Sequence, residues 1–404
     1  MKKRISRLEW SEAGGILRET LRKTRLTRWI FIFGIPFLFF SYPMELFSQT
    51  VPVKIGLLIS ETGQFAWYGD DNIKGARFAE EDINRSGGIS GRPLQIVILN
   101  TESNPEKAVL GAKRLIDHER VVAICGLGLI SEAKAVAPLV RTSGPVTYSL
   151  SGAYYPEHRY MFGATVFLDA MIGQVVKHIK DKGMTKLAAL FTNDATGQMT
   201  EPIVRSITAR EGVQIVATEY MNLPDVDVTP QLSRIRGQNP QAVVAWVVGR
   251  PINVIVQNYR QLAFTQPLFT SHGNLTPLFI KSISEVAGNI SILVPSTKDL
   301  VWHSLAPGDP QKALLSQFGE RFVKAHGRDP GLGVGSAYDA ITILAKAIGT
   351  VGTESDKIVS SIEGIKGHIG VSGIYNFSPS DHRGLGMKDV TMVEVKEGKL
   401  VPMK

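Results

Sequence analysis

The 404 residues include one cysteine, Cys125. An intramolecular disulfide is therefore excluded in any compartment, and no cysteine follows the N-terminal segment to carry a lipid anchor. Cys125 closes the apolar run Val121-Val122-Ala123-Ile124, the setting of a buried small hydrophobe rather than of a nucleophile. The eight histidines are dispersed, and no Cys/His spacing fits a metal site. P-loops, internal repeats and low-complexity segments are also missing. Gly126-Leu127-Gly128-x-x-Ser131 imitates part of a dinucleotide fingerprint, but it follows the third strand and lacks the final glycine. With no defensible nucleophile–base pair either, neither an enzyme nor a bound cofactor is expected.

A surplus of one charge is missing once position is considered. The formal net charge of +8 points at first to nucleic acid. Of the 45 basic and 37 acidic residues, nine and four fall within residues 1–48, which leaves 36 against 33 and a net of +3. A body this near neutrality excludes nucleic-acid binding. The basic N-terminal segment runs into Trp29–Phe40, about a dozen apolar residues. That is the length of a signal-peptide core and short of the roughly 20 residues of a membrane span. Residues 1–48 are expected to be a signal peptide cut near Ser48, which sends the chain to the periplasm. An uncleaved anchor is the competing reading.

What is present is alternation. Val53–Ile59 is a short apolar run that reads as a buried parallel strand. A polar loop from Ser60 to Tyr68 follows, then a 3.6-period pattern from Ile73 to Ile83 with Asp70 or Asp71 as its cap, then the stop Asn84-Arg85-Ser86-Gly87-Gly88. Asp70-Asp71 and Glu80-Glu81-Asp82 read as a solvated helix face. Strand and helix patterns keep alternating to a pair of closing strands at Val390–Val395 and Leu400–Met403. Two such series predict an α/β chain with two parallel-sheet lobes, each covered by helices on both faces.

The combination IGLLISETGQFAWYGDD, KGARFAEEDIN and GGISGRPLQIVILN resembles the start of the branched-chain amino-acid (Leu/Ile/Val-binding) type of periplasmic substrate-binding protein, the ligand-binding subunit of ABC importers. The resemblance spans about residues 52–400. It implies a type I periplasmic-binding fold, two doubly wound lobes joined by a three-segment hinge. Lobe one would hold 52–167 and 298–372, and lobe two 168–297 and 373–404. The crossings would lie near Thr165–Leu168, Pro295–Lys298 and Val371–Ile374. It also implies a small-molecule ligand, a monomer, and membrane permease and ATPase partners.

In doubly wound sheets ligands bind beyond the carboxyl ends of the strands, so those ends carry the candidate site. Gly126 to Ser131 precedes a helix, whose N–H groups and dipole would form an anion site, with Ser131 as cap or ligand contact. In the family a serine pair here and a small-x-Thr segment after the next strand grip an α-carboxylate. Aligned on Ala135-Val136-Ala137-Pro138, this chain has Leu129 and Ile130 in the serine slots and Ser131 one residue later. Ser151-Gly152-Ala153 stands for small-x-Thr, so Ala153 lacks the hydroxyl. His272 takes the slot of the family's ammonium-binding glutamate, Thr196 that of one aromatic, and Gly249, followed by Arg250, that of another. Arg250 and His272 with no obvious acid predict an anion lacking an ammonium group, since a buried ammonium needs a partner. Tyr68 matches a family position that packs on the ligand, and Trp67, Leu129 and Tyr154 add apolar surface. The expected function is extracytoplasmic capture of a small organic carboxylate by hinge closure. A membrane-tethered sensor is the alternative.

Overall fold

The computed structural model describes residues 51–152 and 157–403. The expected signal segment, together with Ala153 and Tyr154 of the expected site, lies outside the described residues.

The run VKIGLLI forms β1 (Val53–Ile59), buried along nearly its whole length as a central parallel strand must be. α1 (Ala66–Arg85) begins earlier than its periodicity predicts, so Tyr68 sits in its first turn and not in the loop. Phe65 occupies the N-cap position, and neither Asp70 nor Asp71 caps the helix. Asp71 is instead drawn inside by an ion pair with Arg328, while Asp70 pairs with Lys74 one turn on. The second acidic group is not simply solvated either. Glu80 accepts the Ile96 backbone N–H at 2.7 Å, and Asp82 accepts from Arg321 and Tyr338.

The first lobe continues with β2 (Leu94–Asn100), α2 (Pro105–Arg114), β3 (Ala123–Gly126), α3 (Ile130–Val136), β4 (Val146–Ser149) and β5 (Met161–Gly163). The second series runs through α4 (Leu168–Asp181), β6 (Lys186–Thr192), α5 (Ala195–Glu211), β7 (Gln214–Met221) and α6 (Thr229–Gly237). It goes on through β8 (Ala242–Trp246), α7 (Arg250–Gln261), β9 (Leu268–Thr270), α8 (Pro277–Ala287) and β10 (Ile292–Thr297). Then come α9 (Lys312–His326), α10 (Val334–Val351), α11 (Ser355–Glu363) and a short hairpin of β11 (His368–Ile369) and β12 (Ile374–Tyr375). β13 (Val390–Lys396) and β14 (Lys399–Pro402) close the chain. No helix among the described residues is long and apolar enough to cross a membrane.

Among the described residues one sheet has the order β2-β1-β3-β4-β5, all parallel, and the other β14-β13-β10-β9-β8-β6-β7, parallel except for β13 and β14. In the first, α1 packs on α10 over one face and α2 on α3 over the other. In the second, α4 packs on α5 and α7 on α8. Two covered faces explain why these strands read as unbroken apolar runs.

The chain leaves the first sheet after β5 and leaves the second after β10. The last crossing falls later than Val371–Ile374. Tyr375 stacks on Phe377, Phe377 packs edge-on against Tyr148 and Phe162, and His382 stacks on Phe162 at 4.0 Å. These aromatic contacts keep 374–382 on the first lobe, so the chain passes to the second between Arg383 and β13.

Candidate functional site

In the first lobe Tyr68 is the fixed point. Its ring lies between Gly128 and Gly333, where a Cβ would sit 2.9 and 2.7 Å from ring carbons. Its hydroxyl donates to the Leu150 carbonyl at 2.9 Å. Burial pushes the phenol up to about 12, so it stays a neutral donor at physiological pH. One side chain thus ties α1 to the carboxyl ends of β3 and β4 and to the start of α10. Trp67 lies beside it with ring centroids 5.6 Å apart, and Phe65 continues the row.

The Gly126–Ser131 turn is not the anion site its sequence predicts. Leu129, half-buried, is the N-cap of α3, and its N–H donates to the carboxylate of Glu132 at 3.4 Å. A carboxylate from the chain itself occupies the helix start. Glu132 is buried and also accepts from Ser60 and Thr101. Burial raises its pKa, and these hydrogen bonds pull it back. Ser131 is exposed on α3 and is not its cap. Ser151 is buried, and its hydroxyl pairs with Ser149 at 2.9 Å, so it braces the end of β4.

In the second lobe Asp194 caps α5, taking the Gly197 N–H at 3.0 Å and the Thr192 hydroxyl at 2.7 Å. Thr196 is half-buried in the first turn of α5, and its carbonyl accepts from Thr200. Arg250 opens α7, exposed and without an ion-pair or hydrogen-bond partner among the described residues. His272 lies in the turn after β9. Its Nδ1 is enclosed and unpartnered, and burial pushes the imidazole down to about 4. It is therefore neutral at pH 7 and offers a hydrogen bond, not a positive charge. The expected pair of cationic groups reduces to Arg250 alone.

Sequence reasoning passed over Asn274, which holds together the turns that carry these two residues. It is 1% exposed. Its amide donates to the Val247 carbonyl at 2.8 Å and to Thr270 Oγ1 at 3.1 Å, and its oxygen accepts the Gly249 N–H at 2.9 Å. The carboxyl ends of β8 and β9 are thereby held together. The signal for it was weak: an Asn in a post-strand turn, a residue that bonds nearby backbone readily. Glu132 gave none, because a Glu on a short helix reads as solvated.

The candidate residues thus fall in two regions. Tyr68 and Ser151 are held at the first lobe's strand ends, with Leu129 at the start of α3, and Arg250 and His272 lie in the turns after β8 and β9 that Asn274 holds together. Ser131 lies on α3 and Thr196 in the first turn of α5. Among the described residues no hydrogen bond or ion pair joins the two sets.

Residues 52–399 match the family model described as periplasmic binding protein. The chain belongs to the periplasmic binding protein family. This family binds solutes and is not enzymatic. A leucine-, isoleucine-, valine-, threonine- and alanine-binding protein of Pseudomonas aeruginosa is 26% identical over 334 residues, covering 80% of this chain and 84% of that one. Leu/Ile/Val-binding protein homolog 7 of Brucella suis is 21% identical, covering 86% and 90%. Among solved structures, a leucine-binding protein from Thermotoga maritima has a TM-score of 0.74 at 21% identity, covering 87% of this chain and 98% of that one. A branched-chain amino acid transporter substrate-binding protein from Streptococcus pneumoniae, in complex with isoleucine, has a TM-score of 0.72 at 20% identity, covering 87% and all of that chain. At these identities the structural likeness establishes the type I periplasmic-binding fold, with two lobes.

Proposed function

We propose that this periplasmic binding protein captures a small organic carboxylate with no essential ammonium group and delivers it to an ABC importer. The observation that carries the reading is Arg250: an exposed guanidinium at a strand end with no ion-pair partner among the described residues, in a turn tied through Asn274 to the one that carries a neutral His272. Its planar fork suits a carboxylate held through two hydrogen bonds. The acid nearest in sequence to the second lobe's candidate residues, Asp194, is spent on capping α5, so an ammonium group would be buried there without a partner, at a cost. The Tyr68–Trp67 surface suits an apolar or aromatic body.

Capture proceeds by rotation of the lobes about the three crossings. A ligand that touches both lobes favours the closed state by its differential affinity for it. The working unit is a monomer in the periplasm, with a membrane permease and an ATPase as partners.

The names of the relatives favour the competing cargo, an aliphatic amino acid. A thermal-shift screen of the protein against amino acids, aromatic acids, aliphatic monocarboxylates and dicarboxylates decides between them, because a ligand stabilises the folded state by RT ln(1 + [L]/Kd). Stabilisation by an ammonium-free acid, lost in Arg250→Ala, is the expected result. Stabilisation by leucine or valine and by no ammonium-free acid overturns the reading.

A further inference from the structure

One buried carboxyl group, Asp339 of α10, is linked through Tyr375 to the first crossing between the lobes, and it is 1% exposed. Its Oδ1 accepts the Val371 N–H at 2.8 Å, and its Oδ2 accepts the Ser372 N–H at 2.7 Å. Oδ2 also lies 3.0 Å from the hydroxyl of Tyr375, and that hydroxyl lies 2.8 Å from the carbonyl of Ala164. Ala164 begins the first crossing. The Val371–Ile374 turn also carries the Ile374 N–H that donates to Asp389, where the last crossing ends, at 2.9 Å. Asp299, just past the second crossing, is 3% exposed with its Oδ1 unpartnered. Its Oδ2 lies close to Gly335 on α10, where a Cβ would approach it to 2.5 Å.

Proton counting gives this geometry a consequence. A tyrosine hydroxyl has one proton to donate. Two acceptors lie within its reach, the Ala164 carbonyl and the Asp339 carboxyl. If Asp339 is ionised, the proton serves one of them and the other is left without it. If Asp339 carries its own proton, it donates to the Tyr375 oxygen and Tyr375 donates to Ala164, so both bonds form at once.

We propose that the Asp339–Tyr375–Ala164 relay is a proton-operated latch on the first crossing. It is engaged when Asp339 is protonated and slack when it is ionised, with Asp299 setting the pH at which it lets go.

The surroundings fit a proton that stays through mild acidity. The titratable groups around Asp339 are Tyr148 from β4, Tyr375 from β12, Asp299 from the second crossing and Tyr338 beside it on α10, with Asp389 on the far side of the turn and Cys125 behind Tyr148. Neither Asp339 nor Asp299 has a lysine or arginine partner among the described residues. Burial pushes Asp339 up to about 7 and Asp299 to about 6, and the negative charge of Asp299 adds to the rise at Asp339. The inference rests on the two-lobed fold and not on the ligand proposed above, so a failed ligand screen leaves it standing.

Amide hydrogen exchange of the ligand-free full chain tests it, with rates corrected for the intrinsic effect of pH. The readout is protection across residues 164–168 at pH 5.5 and pH 8.5. In the native sequence protection falls by roughly tenfold, the effect of about one pKa unit of coupling. Asp339→Asn carries a permanent donor and keeps residues 164–168 protected at both pH values. Tyr375→Phe has no relay and leaves them unprotected at both. Asp299→Asn moves the midpoint of the fall to lower pH. Should Asp339→Asn not fold, Tyr375→Phe and Asp299→Asn still decide. Unchanged protection in the native sequence, or a fall of the same size in Tyr375→Phe, overturns the latch.

Discussion

The Asn274 side-chain oxygen accepts the backbone N–H of Gly249 at 2.9 Å, one residue before Arg250. From the same buried amide a bond runs to the Val247 carbonyl. The backbone that leads into Arg250 is thus held from the neighbouring strand end. Asn274→Ala leaves the buried Val247 C=O without this partner, which costs about 1–3 kcal/mol, and frees the part-buried Gly249 N–H as well. Urea denaturation is expected to show the loss. At temperatures where the variant is still folded, affinity for the ligand found by screening is expected to fall too. Full affinity in a destabilised variant would limit Asn274 to a structural role.

Tyr68 separates two effects that a single truncation would mix. Tyr68→Phe keeps the ring and removes the bond to Leu150, with an expected stability cost of about 0.5–1.5 kcal/mol. Gly333→Ala keeps the hydroxyl but pushes a methyl into the ring and into Asn72, at a residue with φ of 99°. Strain of this kind costs on the order of 1–3 kcal/mol, so Gly333→Ala is expected to melt lower than Tyr68→Phe. The reverse order in calorimetry would mean that the ring is not held as tightly as its contacts imply.

Arg328 is the partner of buried Asp71, and its loss strands that carboxylate. Burial raises the Asp71 pKa, and the hydrogen bond and charge of Arg328 lower it. Arg328→Ala is expected to cost about 1.5–3 kcal/mol at neutral pH, the scale of a hydrogen bond to a charged group. Part of the cost should be recovered in mild acid, where Asp71 can take a proton. Chemical denaturation at pH 7 and pH 5 checks both parts, and an equal loss at the two values would remove Asp71 from the explanation.

His272 carries a pH dependence of definite sign. Its folded pKa of about 4 lies below the ordinary 6.5, so the unfolded chain binds the proton first as the pH falls. The stability it contributes is complete above about 6.5 and is lost between there and about 4. His272→Gln is expected to flatten this part of the melting temperature against pH profile. An unchanged acid limb would mean that the imidazole is more solvated than its enclosed Nδ1 indicates.

The strands and their order along the chain were legible in the sequence, because a strand buried on both faces must be apolar at every position. β1, β6 and β8 show this directly. β5, Met161–Gly163, holds two apolar residues and a glycine and offers no such run to be read. The start of α1 was missed because Ala66, Trp67 and Tyr68 follow a polar loop and precede the first clear helical period. The last crossing was placed too early because Ile374 to His382 owe their position to stacking on Tyr148 and Phe162, partners more than two hundred residues away in sequence.

Of the site, the sequence by itself determined the inventory: a family scaffold, an arginine and a histidine at the ends of β8 and β9, and no family glutamate in the His272 slot. Residue type and strand-end position suffice for that. Only the tertiary structure decided what each group is. It neutralised His272 by enclosing it, filled the start of α3 with Glu132, turned Ser151 onto Ser149, and linked Asp339 through Tyr375 to the first crossing. These outcomes depend on burial and on partners distant in the chain. Both are set by packing, which local spacing does not encode.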